Sequence, residues 1–387
     1  MKFNNLNLSG LDQSEDTRSF NSKLFQRALD PLLKSNTPFK RFYKTDIKSG
    51  KYQLIAIEHQ GTTDGQTWLP QSRVQYTYKK KLLIKSLYQE YRPNTSEWIH
   101  SFQLMYVYQA VNLLKKTTSQ FWDDEKKVWV NQHEILYDYD TQERIKAATH
   151  LLWNDNPDGW KNSYKEVYQY GNSGLLLELD KFSFRDETWI PDSRHIYRYG
   201  SNNNLKSETI QQRQAGSTRW VNFFRHCYLY NLNNQKTKEV FQTWNYESSR
   251  WLNNTQTIHI YAQKTGELVG LRFQQWNKET EGWSNETQYL YTYYSEKLLK
   301  KFLIQSWLDE TNSWLDAHRS RYIYDTGGRI LEEYFENKFD EWAIEYAEFY
   351  TYDKNGNLQL VLTRHKGERV ETLLDAHKTL YFYKLIH

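Results

Sequence analysis

The sequence predicts an all-β fold of about 22 antiparallel strands, arranged as a meander of eleven hairpin repeats. The first observation is a Trp followed ten residues later by a Tyr, which recurs at intervals of about 30 residues. The ten steps from Tyr78 to Tyr383 cover 305 residues, a period typical of repeat arrays. The ten Trp residues are Trp68, Trp98, Trp129, Trp160, Trp189, Trp220, Trp251, Trp283, Trp314 and Trp342, and Leu373 takes the Trp place in the eleventh copy.

The second observation is that turn-forming residues divide each repeat into two halves. Within repeats the turns are segments such as 123–128 and 154–159, and between repeats they are shorter, as in GNSG at 171–174 and DTGG at 325–328. Both are typical of hairpin connections. Each half is therefore a strand of about 9 to 11 residues, and we expect the strands to form one coiled or superhelical sheet.

The N-terminal 38 residues differ from the repeats. After a polar start, Ser19 is a suitable N-cap for a run that Pro31 should kink or break. The apolar residues of 19–34 fall on one helical face: Phe20, Leu24, Phe25, Ala28, Leu29, Leu32 and Leu33. We interpret 1–38 as a polar segment with a short helical cap over the open edge of the sheet, and alternatively as a plug or a partner-docking helix. The repeat domain is then 39–387, with its first strands in 39–59.

Alternation along each second strand separates two faces. Even offsets from the Trp carry Asn, then His, Thr, Tyr or Phe, and finally two Tyr, so this face is aromatic and neutral-polar. Odd offsets carry an apolar residue one position after most Trp residues and a charged or amide residue five positions after. We expect the even face to be the concave one, unless a β-bulge inverts the alternation.

Two turns between repeats carry a recognisable motif. Tyr324-Asp325-Thr326-Gly327-Gly328-Arg329-Ile330 and Tyr352-Asp353-Lys354-Asn355-Gly356-Asn357-Leu358 resemble the Tyr-Asp-x-x-Gly-Arg/Asn-Leu/Ile signature of YD repeats, the β-hairpin units of RHS-type proteins. In that family the hairpins wind into a spiral sheet that can enclose a polypeptide. The resemblance implies a shell or scaffold role, and it supplies no catalytic residue.

Composition limits the classes of function. A net charge of +4 from 51 basic and 47 acidic residues gives no basic field for nucleic acid. Cys227 is the single cysteine, which excludes a disulfide framework and a cysteine-based metal site. The sequence has no signal-peptide core and no membrane-spanning run, so we expect a cytoplasmic protein unless it is exported by another route. It gives no indication of oligomeric state, cofactor or metal.

The sequence favours a non-enzymatic scaffold that binds or encloses a partner, either a protein cargo or a glycan, through its aromatic, amide-rich face. Flat aromatic rings beside amides also suit sugars, so a carbohydrate- or wall-binding repeat is the first alternative. An enzyme with its site on the His-bearing face is the second, although no catalytic motif is present. The candidate ligand-binding residues are Trp129, Asn131, His133, Tyr164, Glu166, His195, Asn222, His226, Tyr289 and His318.

Overall fold

The computed structural model describes residues 52–385, apart from 111, 155–158, 215, 295–297 and 368–369. The predicted helical cap lies outside the described residues, as does the part of the predicted first strands before Tyr52. The chain divides into two compact units, one of Lys51–Asp353 with Leu358–His387 and one of Met1–Gly50 with Lys354–Asn357. In the second unit only the turn at 354–357 is described.

Every regular element among the described residues is a β-strand, and all of the strands belong to the first unit. The strands are β1 (Tyr52–Gly61), β2 (Leu69–Lys79), β3 (Leu82–Arg92), β4 (Glu97–Ala110), β5 (Leu113–Asp123), β6 (Val128–Tyr139), β7 (Ile145–Asn154), β8 (Gly159–Tyr170), β9 (Leu176–Arg185), β10 (Thr188–Tyr199), β11 (Leu205–Arg213), β12 (Trp220–Tyr230), β13 (Lys236–Asn245), β14 (Arg250–Tyr261), β15 (Leu268–Asn277), β16 (Gly282–Tyr293), β17 (Leu299–Leu308), β18 (Ser313–Tyr324), β19 (Ile330–Lys338), β20 (Trp342–Tyr352), β21 (Leu358–Gly367) and β22 (Val370–Leu385).

The sheet is a closed antiparallel meander. Each strand pairs with its neighbours in the chain, as the eleven-hairpin prediction requires. The last strand, β22, also pairs with β1, from Tyr52 opposite Leu385 to Gly61 opposite His377. The expectation of a coiled or superhelical sheet was therefore wrong in its topology. Closure pairs the two edges that a coil would leave with unsatisfied backbone groups.

Successive hairpins are displaced along the strands by two residues. Within one hairpin, Ala148 lies opposite Glu166. In the next hairpin, the residue equivalent to Ala148 is Leu179. Glu166 lies opposite Lys181 of that hairpin, two residues away from Leu179. Such a stagger is the shear that tilts the strands of a barrel, and it keeps equivalent positions of successive hairpins at one level along the axis. A round barrel of this many strands is on the order of 40 Å across, too wide for side chains to fill.

The Tyr-Asp motif is a turn held by its Asp side chain. Asp325 Oδ1 accepts the backbone N–H groups of Gly327 and Arg329, both at 2.9 Å, and Oδ2 accepts from Arg329 Nε at 2.7 Å. Asp140 holds the weaker copy in the same way, with Arg144 Nε 2.7 Å from its Oδ2. Asp and the following Arg are thus used to close the turn, which explains the motif structurally.

Candidate functional site

A β-bulge after each Trp decides which side chains share a face. In the β5–β6 hairpin, Gln120 lies opposite Asn131 but Ser119 lies opposite His133, so Gln132 is an extra residue. The same shift occurs in all eleven hairpins. The predicted single face of Trp, Asn, His and Tyr was therefore wrong, because the extra residue inverts the alternation between the Asn and the His.

We name the two resulting faces by their aromatic residues. The tryptophan face carries the Trp, the Asn two residues later and the charged or amide residue five residues later, as in Trp129, Asn131 and Glu134. The tyrosine face carries the residues at offsets one, four, six, eight and ten, as in Val130, His133, Ile135, Tyr137 and Tyr139.

Aromatic pairs and amide chains connect the tryptophan face. Trp122 and Trp129 meet edge to face across the hairpin with ring centroids 5.2 Å apart. Beside them, Gln120 Nε2 donates to Asn131 Oδ1 at 2.7 Å. The same aromatic pair recurs in Trp153–Trp160, Trp244–Trp251, Trp276–Trp283 and Trp307–Trp314, and the same amide bond in Gln211–Asn222, Gln242–Asn253 and Gln274–Asn285. These contacts fit a structural role.

Basic residues five positions after a Trp complete this face by stacking on the Trp of the next hairpin. The guanidinium carbon of Arg225 lies 4.5 Å from the centre of the Trp251 ring, and its Nε donates to Gln242 at 2.9 Å. Arg73–Trp98, Arg194–Trp220 and Arg319–Trp342 repeat the stack at 4.2 to 4.8 Å. Each such cation–π contact links one hairpin to the next.

The final Tyr of each hairpin is also structural. Its hydroxyl donates to a backbone carbonyl of the same hairpin's first strand, as Tyr139 Oη does to Leu114 O at 2.8 Å. The same bond, at 2.8 to 3.0 Å, is made by Tyr78, Tyr108, Tyr170, Tyr199, Tyr230, Tyr261, Tyr293, Tyr324 and Tyr352. All ten Trp-to-Tyr copies therefore use this hydroxyl to satisfy the backbone.

The remaining positions of the tyrosine face vary between hairpins, and the first variable cluster contains two His residues. His133 Nε2 lies 3.2 Å from His150 Nδ1, and the His150 ring stacks on Tyr164 with centroids 3.7 Å apart. Burial lowers the pKa of His133 to about 4 and that of His150 to about 3, so both imidazoles are neutral at pH 7. Tyr164 is 40% exposed and gives this stack an open aromatic surface.

A second cluster alternates His and carboxylate across four strands. His195 Nδ1 on β10 is 2.9 Å from Glu208 Oε1 on β11, and this hydrogen bond is the main cause that lowers the pKa of Glu208. On the next two strands, His226 Nδ1 is 3.3 Å from Glu239 Oε1. The His226 imidazole and then the Lys236 ammonium lower the pKa of Glu239 to about 2. Both carboxylates are therefore ionised at neutral pH.

A third cluster places two carboxyl groups together. Glu333 and Glu348 lie directly opposite each other on β19 and β20. The Tyr350 hydroxyl is 2.6 Å from Glu348 Oε2 and 3.2 Å from Glu333 Oε2, but it has one hydrogen to donate. Burial, with repulsion from Glu348, raises the pKa of Glu333 to about 7 against the opposing hydrogen bonds from Tyr322 and Tyr350. Near neutral pH the pair therefore holds a proton.

The structure divides the candidate residues between the two faces. Trp129, Asn131 and Asn222 lie on the tryptophan face, where their contacts are those of the aromatic and amide network. The other seven lie on the tyrosine face: His133, Tyr164, Glu166, His195, His226, Tyr289 and His318. Tyr289 packs edge-on against Phe273 and Phe302, and His318 Nδ1 is 2.5 Å from Asn337 Oδ1.

Sequence reasoning missed four partners on the first strands, namely His150, Glu208, Glu239 and Glu333, and it missed Glu348 on the second strand β20. The candidates were chosen by their offset from the second-strand Trp, which leaves the first strands out. Counting outward from the turn of each hairpin, with one residue skipped for the bulge, would have placed His150 opposite Tyr164 and Glu208 opposite His226.

Two searches of the described residues bear on other classes of site. No three His, Cys, Asp or Glu side chains in the described ranges come together so as to hold a metal ion. The same residues hold no helix whose length and hydropathy would let it cross a bilayer.

No family model matches the chain, and no curated protein has significant sequence similarity to it. A protein of unknown function from Bacteroides fragilis is 19% identical over 32% of this chain and 87% of its own length, with a TM-score of 0.27. A DUF3836 family protein from Bacteroides vulgatus is 29% identical over 24% of this chain and 89% of its own length, with a TM-score of 0.20. The structure of TcdB2-TccC3-TEV is 12% identical over 80% of this chain and 16% of its own length, with a TM-score of 0.40.

Proposed function

We propose that the chain is a non-enzymatic binding scaffold that holds a partner against the tyrosine face of its closed sheet. The observation that carries this proposal is the difference between conserved and variable contacts within the repeat. The Trp pair, the amides and the final Tyr make the same internal contacts in hairpin after hairpin. The residues four and six positions after each Trp, on the tyrosine face, instead differ from hairpin to hairpin. This variation suits recognition of an irregular partner.

On the tryptophan face the amide side chains form chains of hydrogen bonds that continue from one hairpin to the next. Gln288 Nε2 donates to Gln305 Oε1 at 2.6 Å, and Gln305 Nε2 donates to Asp316 Oδ1 at 2.6 Å. Gln288 is 6% exposed. A ligand on this face would have to break such bonds before making its own, and each broken bond costs about 1 kcal/mol.

We favour a polypeptide as the partner. The tyrosine face extends over the whole closed sheet, and its variable residues mix aromatic, carboxylate and imidazole groups as protein interfaces do.

A glycan is the second candidate, and the Tyr164 stack favours it. The open Tyr164 ring lies on the same strand and face as Glu166, whose Oε1 is 3.4 Å from Lys181 Nζ. A flat ring beside charged hydrogen-bonding groups is the arrangement that a sugar ring requires. A glycan array with the full chain tests this candidate, and binding that Tyr164→Ala abolishes would support it over a polypeptide.

Site-specific photo-crosslinking tests the main proposal. Benzoylphenylalanine replaces Tyr164 or Phe224 on the tyrosine face, and Leu136 or Leu229 on the tryptophan face as matched exposed controls. We expect a defined polypeptide adduct from the first two positions and none from the controls when the protein is irradiated in cells that express it. Equal adducts from both faces, or none from either, would contradict the proposal.

A further inference from the structure

The tyrosine face is organised in levels that run around the barrel. Because the two-residue stagger keeps equivalent positions at one level, the residues six after each Trp and their partners in the first strands form a single level. We call this the carboxylate level, since five Glu residues occupy it: Glu166, Glu208, Glu239, Glu333 and Glu348.

The carboxylate level contains no Lys or Arg at any of its described positions. Its other ionisable groups include His195 and His226, which contact Glu208 and Glu239. The nearest basic side chains belong to other levels: Lys236 Nζ is 2.8 Å from Glu239 Oε2, and Lys181 Nζ is 3.4 Å from Glu166 Oε1. On the opposite face the mid-strand residues are mainly basic: Arg73, Lys165, Arg194, Arg225, Arg319 and Lys378. Several basic groups of that face are paired with its own carboxylates, as Arg194 is with Asp180 and Arg319 is with Glu336.

A second level, at the end where the turns within the hairpins lie, carries exposed apolar side chains between polar ones. We call these apolar side chains the apolar belt, and its members are 37% to 54% exposed: Leu69, Phe121, Leu152, Ile190, Leu252, Leu315 and Leu374. The strand registers place all of them on the tyrosine face. A series of large exposed apolar side chains at one level marks a surface that a partner covers.

The two levels are a fixed distance apart. On the first strands they are separated by four residues, as between Thr243 at the level of the belt and Glu239, which is about 13 Å along a strand. An extended peptide spans the same distance with four residues, so an apolar side chain and a basic one four positions apart would meet the two levels together.

We propose that the tyrosine face binds a basic, amphipathic polypeptide segment, with its apolar side chains on the apolar belt and its Lys or Arg groups at the carboxylate level. This inference rests on the proposed scaffold function and specifies the chemistry of the partner. Tyr168, two positions beyond Glu166, and Tyr197, opposite Glu208, add aromatic rings against which a cation is stabilised. An acidic segment or a nucleic acid would be repelled by the same level.

The test measures the affinity of the full chain for a fluorescent peptide in which Leu and Lys alternate at intervals of four residues. Two companion peptides carry Glu for Lys and Ser for Leu. We expect the basic amphipathic peptide to bind and both companions to bind at least about tenfold more weakly. Affinity should fall as salt is added, because the carboxylates are partly exposed.

Paired variants locate the binding. Leu152→Ser and Leu315→Ser alter belt residues that are 51% and 54% exposed, and Leu229→Ser alters a tryptophan-face residue that is 55% exposed. Glu208→Gln alters the carboxylate level, and Glu332→Gln alters the tryptophan face. We expect each tyrosine-face variant to weaken binding about two- to fivefold and neither control to do so. Circular dichroism and thermal melting confirm that all variants fold.

The outcomes separate the two proposals. Binding of the basic peptide that the tyrosine-face variants weaken supports both. Preference for the acidic or the Leu-to-Ser peptide, lost in the same variants, overturns the basic amphipathic partner but leaves the scaffold proposal standing. Binding that responds equally to variants on both faces overturns the inference and also counts against the scaffold proposal. No binding of any peptide overturns the inference, and the crosslinking experiment then decides the scaffold proposal independently.

Discussion

The Glu333–Glu348 pair makes a specific prediction about the pH dependence of stability. Burial raises the pKa of Glu333 from 4.5 to about 7, so the folded chain binds a proton that the unfolded chain releases. The stabilisation is therefore fully present below pH 4.5 and is lost as the pH rises through about 7. A shift of this size corresponds to about 3 kcal/mol at 1.4 kcal/mol for each pKa unit, of which most should be measurable between pH 5 and 8.5.

The perturbation is Glu333→Gln, which keeps the shape and the acceptor oxygen of a protonated carboxyl without a titratable proton. The free energy of unfolding is measured by urea denaturation with Trp fluorescence at pH 5 and pH 8.5. We expect the variant to gain about 2 to 3 kcal/mol relative to the original chain on going from pH 5 to pH 8.5. Comparing the two proteins at each pH cancels the titration of the groups that do not interact with Glu333.

Glu332→Gln is the matched control, since Glu332 lies on the tryptophan face and accepts from Tyr334 Oη at 2.5 Å. It should leave the pH dependence of the original chain unchanged. If Glu333→Gln and the original chain lose stability in parallel between pH 5 and 8.5, or if the variant becomes relatively less stable at high pH, the assignment of a shared proton to this pair is wrong.

Three further predictions concern two repeat contacts and the buried His150. Tyr230→Phe removes the hydroxyl bonded to Leu205 O at 3.0 Å, and it should lower the free energy of unfolding by about 1 kcal/mol in urea denaturation; unchanged stability would contradict a structural Tyr. Gln242→Leu removes the acceptor of two Arg225 N–H groups, and it should cost about 2 to 3 kcal/mol in the same assay; a loss no larger than that of Tyr230→Phe would contradict the network. Burial lowers the pKa of His150, so the neutral imidazole stabilises the folded chain above pH 6.5. This contribution to the free energy of unfolding is lost as the pH falls towards 3. His150→Phe should therefore lose less thermal stability than the original chain between pH 7 and pH 4.5, and a larger loss would refute the assignment of a neutral buried imidazole.

The repeat architecture could be predicted because local signals determine it. Turn residues between the halves, such as those at 123–128, and the interval from Trp129 to Tyr139 indicate where each strand begins and ends. Contacts inside one hairpin follow from this spacing, as the Gln120–Asn131 bond beside the Trp pair shows. The eleven hairpins and their order were confirmed for this reason.

The assignment of faces could not be predicted because it depends on one residue per hairpin. Gln132 has no composition that distinguishes a bulge from a regular strand position, yet it moves His133 to the other side of the sheet. Closure was missed for a different reason. Pairing of β1 with β22 depends on the accumulated tilt and curvature of the whole sheet, and no local segment encodes these quantities.

Hydroxyl-radical footprinting of the chain, alone and with the Leu-Lys peptide or a crosslinked partner, tests most directly the claim that the tyrosine face is the binding face. The account predicts that binding protects Tyr164, Leu152 and Leu315, while Leu136 and Leu229 on the tryptophan face stay as reactive as in the free chain. Protection of Leu136 and Leu229 with no change at Tyr164 would contradict the account.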